Sequence, residues 1–184
     1  MNKGNGWVRG NECGCVKKAC HWEYADLRSV CNQLLKDAVL AYPIENFGRF
    51  NHDSKLVILA IALALYDTKI AYAKNKKQDI SILGTNTSGA LDANLAYFND
   101  YVANGRILGR GNLFIYTLPT SPLAEAALHF GLTGELLYAG FLKDSPQELL
   151  NYAKDLLKTG SSKTMLVVNA SPQEATCFVL QKSK

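Results

Sequence analysis

The chain has 184 residues, 48% of them hydrophobic and 20% charged, which is typical of a globular protein and not of a disordered or fibrous one. This length suits one domain, so we expect a single domain over residues 1–184. The net charge is only +4 and the basic residues are scattered, which argues against a nucleic-acid-binding protein. The polar N-terminus and short apolar runs predict no secretory signal, no membrane span and a cytoplasmic location.

The N-terminal part predicts one strand and one helix. Residues 7–16 alternate loosely between apolar and polar side chains, and Gly10 and Gly14 would let a neighbouring segment approach closely. Residues 27–35 place apolar side chains at helical spacing. We therefore expect a first strand followed by a helix-containing connection.

The middle of the chain predicts a buried helix, a short strand and an amphipathic helix. Residues 53–74 are apolar almost all round and begin with Asp53, a candidate N-cap, which is typical of a helix enclosed between layers. Residues 79–84 favour a strand, and a polar loop at 85–89 follows. The helix expected at 90–103 has one apolar stripe, formed by Leu91, Leu95, Phe98 and Val102.

The C-terminal part predicts two further helices and three strands. A short helix at 123–130 leads to a buried strand at 136–139, and Ser145 with Pro146 begins a helix that ends near residue 160. Two strands, at 164–168 and 176–180, close the chain. The order βαβαβαββ, with one extra helix, indicates an α/β fold: a mixed, mostly parallel five-stranded sheet with helices on both faces.

Cysteine and histidine residues offer one candidate metal cluster near the N-terminus. Cys13, Cys15, Cys20 and His21 lie close together in sequence, but their spacing is not that of a standard zinc site. Packing of small side chains beside the first strand is the favoured interpretation, with metal binding left open. His129 lies in an apolar run and is expected to be a packed, hydrogen-bonded residue. No cofactor is predicted.

Three segments resemble the N-terminal half of a β-ketoacyl synthase of the thiolase-like superfamily. They are FGRFNHDSKLVILAIALAL at residues 47–65, GTNTSGALDANLAYFNDYVANG at 84–105 and NLFIYTLPTSPLAEAALHFGLTG at 112–134. The resemblance is weaker before Phe47 and after Tyr138. It implies one half of the thiolase-like fold, in agreement with the order of elements derived from the residues.

Two departures from the family pattern bear on catalysis. The resemblance implies a cysteine nucleophile after the third strand, but that place falls near Lys143, and no cysteine lies between Cys31 and Cys177. The C-terminal half, which in the family carries two catalytic histidines, has no counterpart in a chain of this length. We therefore predict no catalytic residue and no condensing activity by this chain alone.

The resemblance implies a partner role in fatty-acid or polyketide/polyene-type biosynthesis, as a homodimer or as a heterodimer with a full ketosynthase. Residues expected at the acyl-chain and dimer interface are Phe114, Tyr116, Leu118, Leu136, Leu137 and Tyr138. A dock for an acidic acyl carrier protein is expected at Arg49, Lys55, Arg106 and Arg110. Ordinary packing and a solvated charged face remain the alternatives for these two sets.

Two other functions stay open at the level of sequence. One is an acyltransferase or hydrolase that acts on acyl thioesters, with Cys15 or Ser145 as nucleophile and His129 or His52 as base. The other is a degenerate gene product without a selected role.

Overall fold

The computed structural model describes residues 1–142, 144–160 and 162–182. Within these residues, seven strands form one sheet: β1 (Asn2–Arg9), β2 (Glu12–Cys15), β3 (Cys20–Glu23), β4 (Ser81–Asn86), β5 (Leu136–Tyr138), β6 (Thr164–Ala170) and β7 (Glu174–Gln181). The α-helices of the same part of the chain are α1 (Leu27–Lys36), α2 (His52–Thr68), α3 (Leu91–Ala103), α4 (Gly111–Phe114), α5 (Ser121–Phe130) and α6 (Pro146–Thr159). Single 3-10 turns occur at Phe47–Arg49, Ile115–Thr117 and Gly140–Leu142.

The strand order across the sheet is β3-β2-β1-β7-β6-β4-β5. β4 pairs in parallel with both β5 and β6, whereas β7 runs antiparallel to β6 and to β1. Strands β1, β6, β4 and β5 therefore point the same way, and β7 opposes them. This confirms the expected mixed α/β sheet, but β2 and β3 are added at one edge, so the sheet has seven described strands where five were expected, and only the β4–β5 and β4–β6 pairings are parallel.

The added strands come from a turn that the sequence pattern did not indicate. Residues 7–16 do not form one strand: β1 ends at Arg9, Gly10 takes a left-handed φ of 58°, and β2 returns antiparallel from Glu12. Gly10 permits the turn, because a residue without a Cβ adopts this left-handed φ at no steric cost. Gly14 permits close approach, because its Cβ would lie 2.4 Å from the carbonyl oxygen of Cys20 on β3.

Helix α2 is the centre of the main core. Its residues from Ile58 to Leu65 are fully buried, and it packs against β1, β7 and α5. The N-cap is Asn51, whose side chain accepts a hydrogen bond from the Ser54 N–H at 3.0 Å, so the expected cap at Asp53 is wrong by two residues. An almost wholly apolar helix forms here because every side of it is covered.

Alternation along the strands divides the apolar side chains between two layers. On β6, Leu166 and Val168 join the core around α2, whereas Met165 and Val167 join a second core under α6. The expected helices on both faces of the sheet are confirmed. Within the described residues, no helix combines the length and apolar character needed to cross a membrane.

Candidate functional site

The carboxyl ends of the parallel strands β4, β5 and β6 meet at one edge of the sheet, where open α/β sheets usually bind ligands. Thr85 and Asn86 end β4, Tyr138 ends β5 and Ala170 ends β6, and together they line a narrow crevice. Thr85 and Asn86 are buried, and Thr85 Oγ1 has no hydrogen-bond partner in the described part of the chain. The crevice therefore holds buried polar groups at the usual position of a site.

Asn86 organises this crevice through its side chain and its backbone. Its Nδ2 donates to Asp53 Oδ2 at 3.0 Å, and its Oδ1 accepts from both the N–H and the hydroxyl of Ser88 at 3.0 Å. The Tyr138 hydroxyl donates to the Asn86 carbonyl at 3.3 Å. Burial raises the pKa of Asp53, and the bond from Asn86 partly opposes that shift. The arrangement fixes the end of β4 and offers hydrogen bonds, but it presents no strong nucleophile.

The Asn86–Asp53 pair does not follow from the sequence pattern. A signal was available for Asn86, because a polar residue directly after a predicted strand falls at the ligand-binding edge of a parallel sheet. Asp53 gave no such signal, since its position at the start of an apolar helix suggested a cap.

The expected place of the nucleophile lies just beyond β5. Lys143, the residue nearest to it, lies outside the described residues. Ser145 occupies the N-cap position of α6, but its side chain makes no capping hydrogen bond. None of the residues that line the crevice is a cysteine. Cys177 is fully buried within β7, where burial raises the pKa of its thiol.

The residues of the alternative acyl-transfer hypothesis are not brought together. Cys15 lies on β2 near the far edge of the sheet, and burial raises its pKa to about 12. His129 lies near the end of α5, and its Nε2 is buried without a hydrogen-bond partner, so the expected hydrogen bonding of this packed histidine is incomplete. Among the described residues, no hydrogen bond links Cys15 or Ser145 to His129 or His52.

The candidate metal ligands are divided by strand alternation. Cys15 lies opposite Cys20, and Cys13 lies opposite Trp22, so these cysteines share one face of the β2–β3 hairpin. His21 lies opposite Gly14 and therefore projects from the other face. Within residues 1–142, 144–160 and 162–182, no three His, Cys, Asp or Glu side chains are placed to hold a metal ion.

An apolar surface extends over α3, α4 and the turn that follows. The expected stripe of α3 forms, but Leu91, Leu95 and Phe98 are 56%, 50% and 57% exposed. Phe114 and Leu118 are also exposed, and the Phe114 ring lies 5.6 Å from that of Tyr97 on α3. Clusters of exposed apolar residues are common on protein surfaces that bind other molecules. We call these exposed apolar residues the α3 face, which consists of Leu91, Leu95, Phe98, Val102, Ile107, Leu108, Phe114 and Leu118.

The other expected interface residues lie at the edge of the sheet or behind the α3 face. Leu136, Leu137 and Tyr138 are half-buried on β5, which ends the strand order and pairs only with β4 among the described strands. Tyr116 is half-buried, and its hydroxyl donates to Glu125 Oε1 at 3.3 Å.

The four basic residues expected to dock a carrier protein fall in two places. Arg49 is exposed on the 3-10 turn before α2, and Lys55 Nζ lies 5.9 Å from the ring centre of Phe47 on the same turn. Arg106 and Arg110 are exposed in the loop after α3, where Arg110 Nε lies 3.1 Å from Asp100 Oδ1. The structure thus places Arg49 and Lys55 around the start of α2, and Arg106 and Arg110 after α3, where Arg110 is already engaged in an ion pair.

No protein-family model and no curated protein matches the sequence. Solved structures do match the fold. A β-ketoacyl synthase from Burkholderia phymatum superimposes with a TM-score of 0.66 at 12% identity, covering 100% of this chain and 59% of that one. The fold is that of a ketosynthase half.

Two complexes share the same ketosynthase-like fold. A ketosynthase (ApeO) solved with its chain length factor (ApeC) from Xenorhabdus doucetiae has a TM-score of 0.58 and 16% identity over 79% of this chain and 63% of that one. A type II polyketide ketosynthase solved with its acyl carrier protein has a TM-score of 0.62 and 8% identity, and the match covers 99% of this chain and 57% of that one. The chain therefore spans about three fifths of the length of these structures.

Proposed function

We propose that this chain is a non-condensing, ketosynthase-like partner in fatty-acid or polyketide-type biosynthesis, which pairs with a full ketosynthase or with a second copy of itself. The proposal is carried by two exposed features, the apolar α3 face and the free edge of β5. An unpaired edge strand and a large exposed apolar surface are both unfavourable in an isolated protein, and a partner would cover both.

Similarity to solved complexes supports the choice of partner. One matched ketosynthase was solved with a chain length factor and another with an acyl carrier protein. The crevice at the carboxyl edge of the sheet supports the non-condensing role, since none of the described residues that line it is a cysteine and the Tyr138 hydroxyl is already bonded to the Asn86 carbonyl.

The pairing is tested at the free edge of β5. The Glu135 carbonyl and the Ala139 N–H both form hydrogen bonds with β4. Because alternate residues of a strand direct their N–H and C=O groups to the same side, those of Leu137 also face β4, whereas those of Leu136 face away from it. Leu136→Pro removes the outward N–H while keeping the ladder to β4. We expect this variant to lose co-purification with a co-expressed ketosynthase, and to lose its own dimer if the chain pairs with itself.

Leu136→Ala is the matched control, because it shortens the side chain but retains the N–H. It should keep the pairing seen by light scattering and pull-down. A monomeric wild-type chain that binds no ketosynthase would contradict the proposed pairing, and so would a Leu136→Pro variant that pairs as well as the control.

Docking of an acyl carrier protein is a separate prediction. Arg49→Ala should weaken binding of the acidic carrier by about two- to five-fold, the usual range for one exposed charge, and the loss should shrink as salt screens the interaction. Arg9→Ala is the control, since Arg9 is exposed on β1 and pairs with Glu174. Titration calorimetry at two salt concentrations gives the affinities. Equal affinities for the wild type and Arg49→Ala would remove Arg49 from the dock.

A further inference from the structure

Lysines from separate parts of the sequence gather at the amino edge of the sheet, at the opposite end of the strands from the crevice. Lys3 lies near the start of β1, Lys163 precedes β6, and Lys182 follows β7, which runs antiparallel to both strands. The backbone N–H of Lys182 donates to the Lys163 carbonyl at 3.0 Å, so these two residues are neighbours. All three side chains are exposed.

The end of α2 and the turn between β2 and β3 extend this row of lysines. Asp67 lies in the last turn of α2 and is buried. Its carboxylate accepts hydrogen bonds from the backbone N–H groups of Asn5, Lys17 and Lys18, at 3.0, 3.2 and 2.8 Å. Lys69, the C-cap of α2, is thereby held at the same edge as the turn. We call these residues the lysine edge, which consists of Lys3, Lys17, Lys18, Lys69, Lys163 and Lys182.

The positive charge of the lysine edge is left available for a partner. None of the six lysines forms an ion pair with a residue that the structure describes. The carboxylate of Asp67 is enclosed among N–H groups, and that of Asp79 accepts the hydroxyl of Ser162 at 3.0 Å. Cations that lie along one edge in this way attract a negatively charged surface.

Apolar surface lies among these lysines. Val16, next to Lys17 in the turn between β2 and β3, is 64% exposed. A cavity of about 240 Å³ has Lys18 and Lys69 in its lining, and its other lining side chains are all aliphatic or aromatic. An anionic phospholipid offers the matching combination, because its phosphate lies beside hydrocarbon. A nucleic acid or an acidic protein surface would pair with the lysines but would leave Val16 without an apolar partner.

We propose that the lysine edge docks this chain on a membrane surface that contains anionic phospholipids. The lysines pair with headgroup phosphates, and Val16 enters the boundary between headgroups and acyl chains. The crevice stays uncovered, because it lies at the other end of the strands. This inference does not depend on the proposed partner role.

Co-sedimentation of the wild-type chain with lipid vesicles tests the docking. Vesicles of phosphatidylcholine with about one third phosphatidylglycerol should bind the chain, whereas vesicles of phosphatidylcholine alone should not. Raising the salt concentration from about 0.1 M to about 1 M should release the chain, because the Debye length falls from about 10 Å to about 3 Å. Equal binding to the two kinds of vesicle, or binding to neither, would overturn the proposal.

Paired variants separate the lysine edge from the total charge. Lys17→Gln with Lys69→Gln should weaken vesicle binding by roughly 20- to 30-fold, since each lysine near an anionic surface contributes about five-fold. Both side chains are exposed, and the N–H of residue 17 can still bond to Asp67. The control is Arg9→Gln with Arg28→Gln, which removes two charges where β1 ends and α1 begins and should change binding by less than about two-fold. An equal loss in the two pairs would overturn the assignment to this edge.

Val16→Ser tests the lipid as the occupant. This variant removes an apolar contact but no charge, so vesicle binding at about 0.1 M salt should fall by about five-fold. An unchanged affinity would overturn the lipid assignment and would favour a purely ionic partner, such as a nucleic acid.

Discussion

The imidazole of His129 packs against the rings of Tyr42, Tyr72 and Phe130. The plane of the Phe130 ring lies at 79° to the imidazole plane. Burial in this aromatic surrounding lowers the pKa of His129 from 6.5 to about 4, because it disfavours the charged form. Glu45 opposes the shift but does not cancel it. The side chain is therefore neutral at neutral pH, and folding is linked to its proton.

This linkage predicts how stability changes with pH. The pKa is lower in the folded than in the unfolded chain, so the unfolded chain binds an extra proton between about pH 6.5 and 4. The stability due to neutral His129 is complete above pH 6.5 and is lost as the pH falls towards 4. Urea unfolding across this range should show a steeper loss for the wild type than for His129→Gln. Parallel curves would contradict the buried, neutral state.

Packing between elements rests on a close contact of β1 with α2. Gly6 of β1 lies so near the helix that a Cβ there would be 2.4 Å from the Ala64 nitrogen and 2.5 Å from the Ala60 carbonyl oxygen. Both are backbone atoms of α2, which no side-chain rotation can move away. The absence of a side chain at position 6 therefore sets the distance between the sheet and its central helix.

Gly6→Ala should accordingly destabilise the chain by about 1–3 kcal/mol or more, since the helix must shift to admit one methyl group. Gly48→Ala is the matched control, because a Cβ at Gly48 meets nothing within 4 Å and should change the stability by less than about 0.5 kcal/mol. Denaturant unfolding of both variants measures the difference. Equal stabilities would show that β1 and α2 are not held at this distance.

For the whole molecule, the balance between the buried core and the exposed α3 face decides how it behaves alone. Both cores are closed within the chain, yet α3 buries none of its residues. The fold can thus be stable while one of its surfaces remains unfavourable in water.

A double substitution on the α3 face tests this separation. Leu95→Gln with Phe98→Gln should leave the free energy of unfolding within about 0.5 kcal/mol of the wild type, because both side chains are at least half exposed. It should also reduce concentration-dependent self-association in analytical ultracentrifugation. If the double variant unfolds more readily but associates unchanged, the stripe belongs to the fold and not to an interface.

Local pattern was enough to predict most elements of this fold and little of its site. The apolar run of α2, the stripe of α3 and the strand pair β6–β7 followed from periodicity and turn residues, which depend on neighbours in sequence. The β1–β2 hairpin was missed because Gly10 and the residues around it resemble a continuous strand. A glycine can lie in a continuous strand or in a left-handed turn, and the sequence alone does not show which of the two forms.

By itself, the sequence determined the α/β class, the order of the main helices and strands after β3 and the likeness to a ketosynthase half, since each depends on composition, spacing or motif. Only the tertiary structure decided that Asn86 meets Asp53, that lysines from separate segments gather at one edge of the sheet, and that the α3 stripe is left uncovered. These features join residues distant in sequence or depend on what packs against a helix face. Periodicity indicates that a face is apolar, but not what covers it.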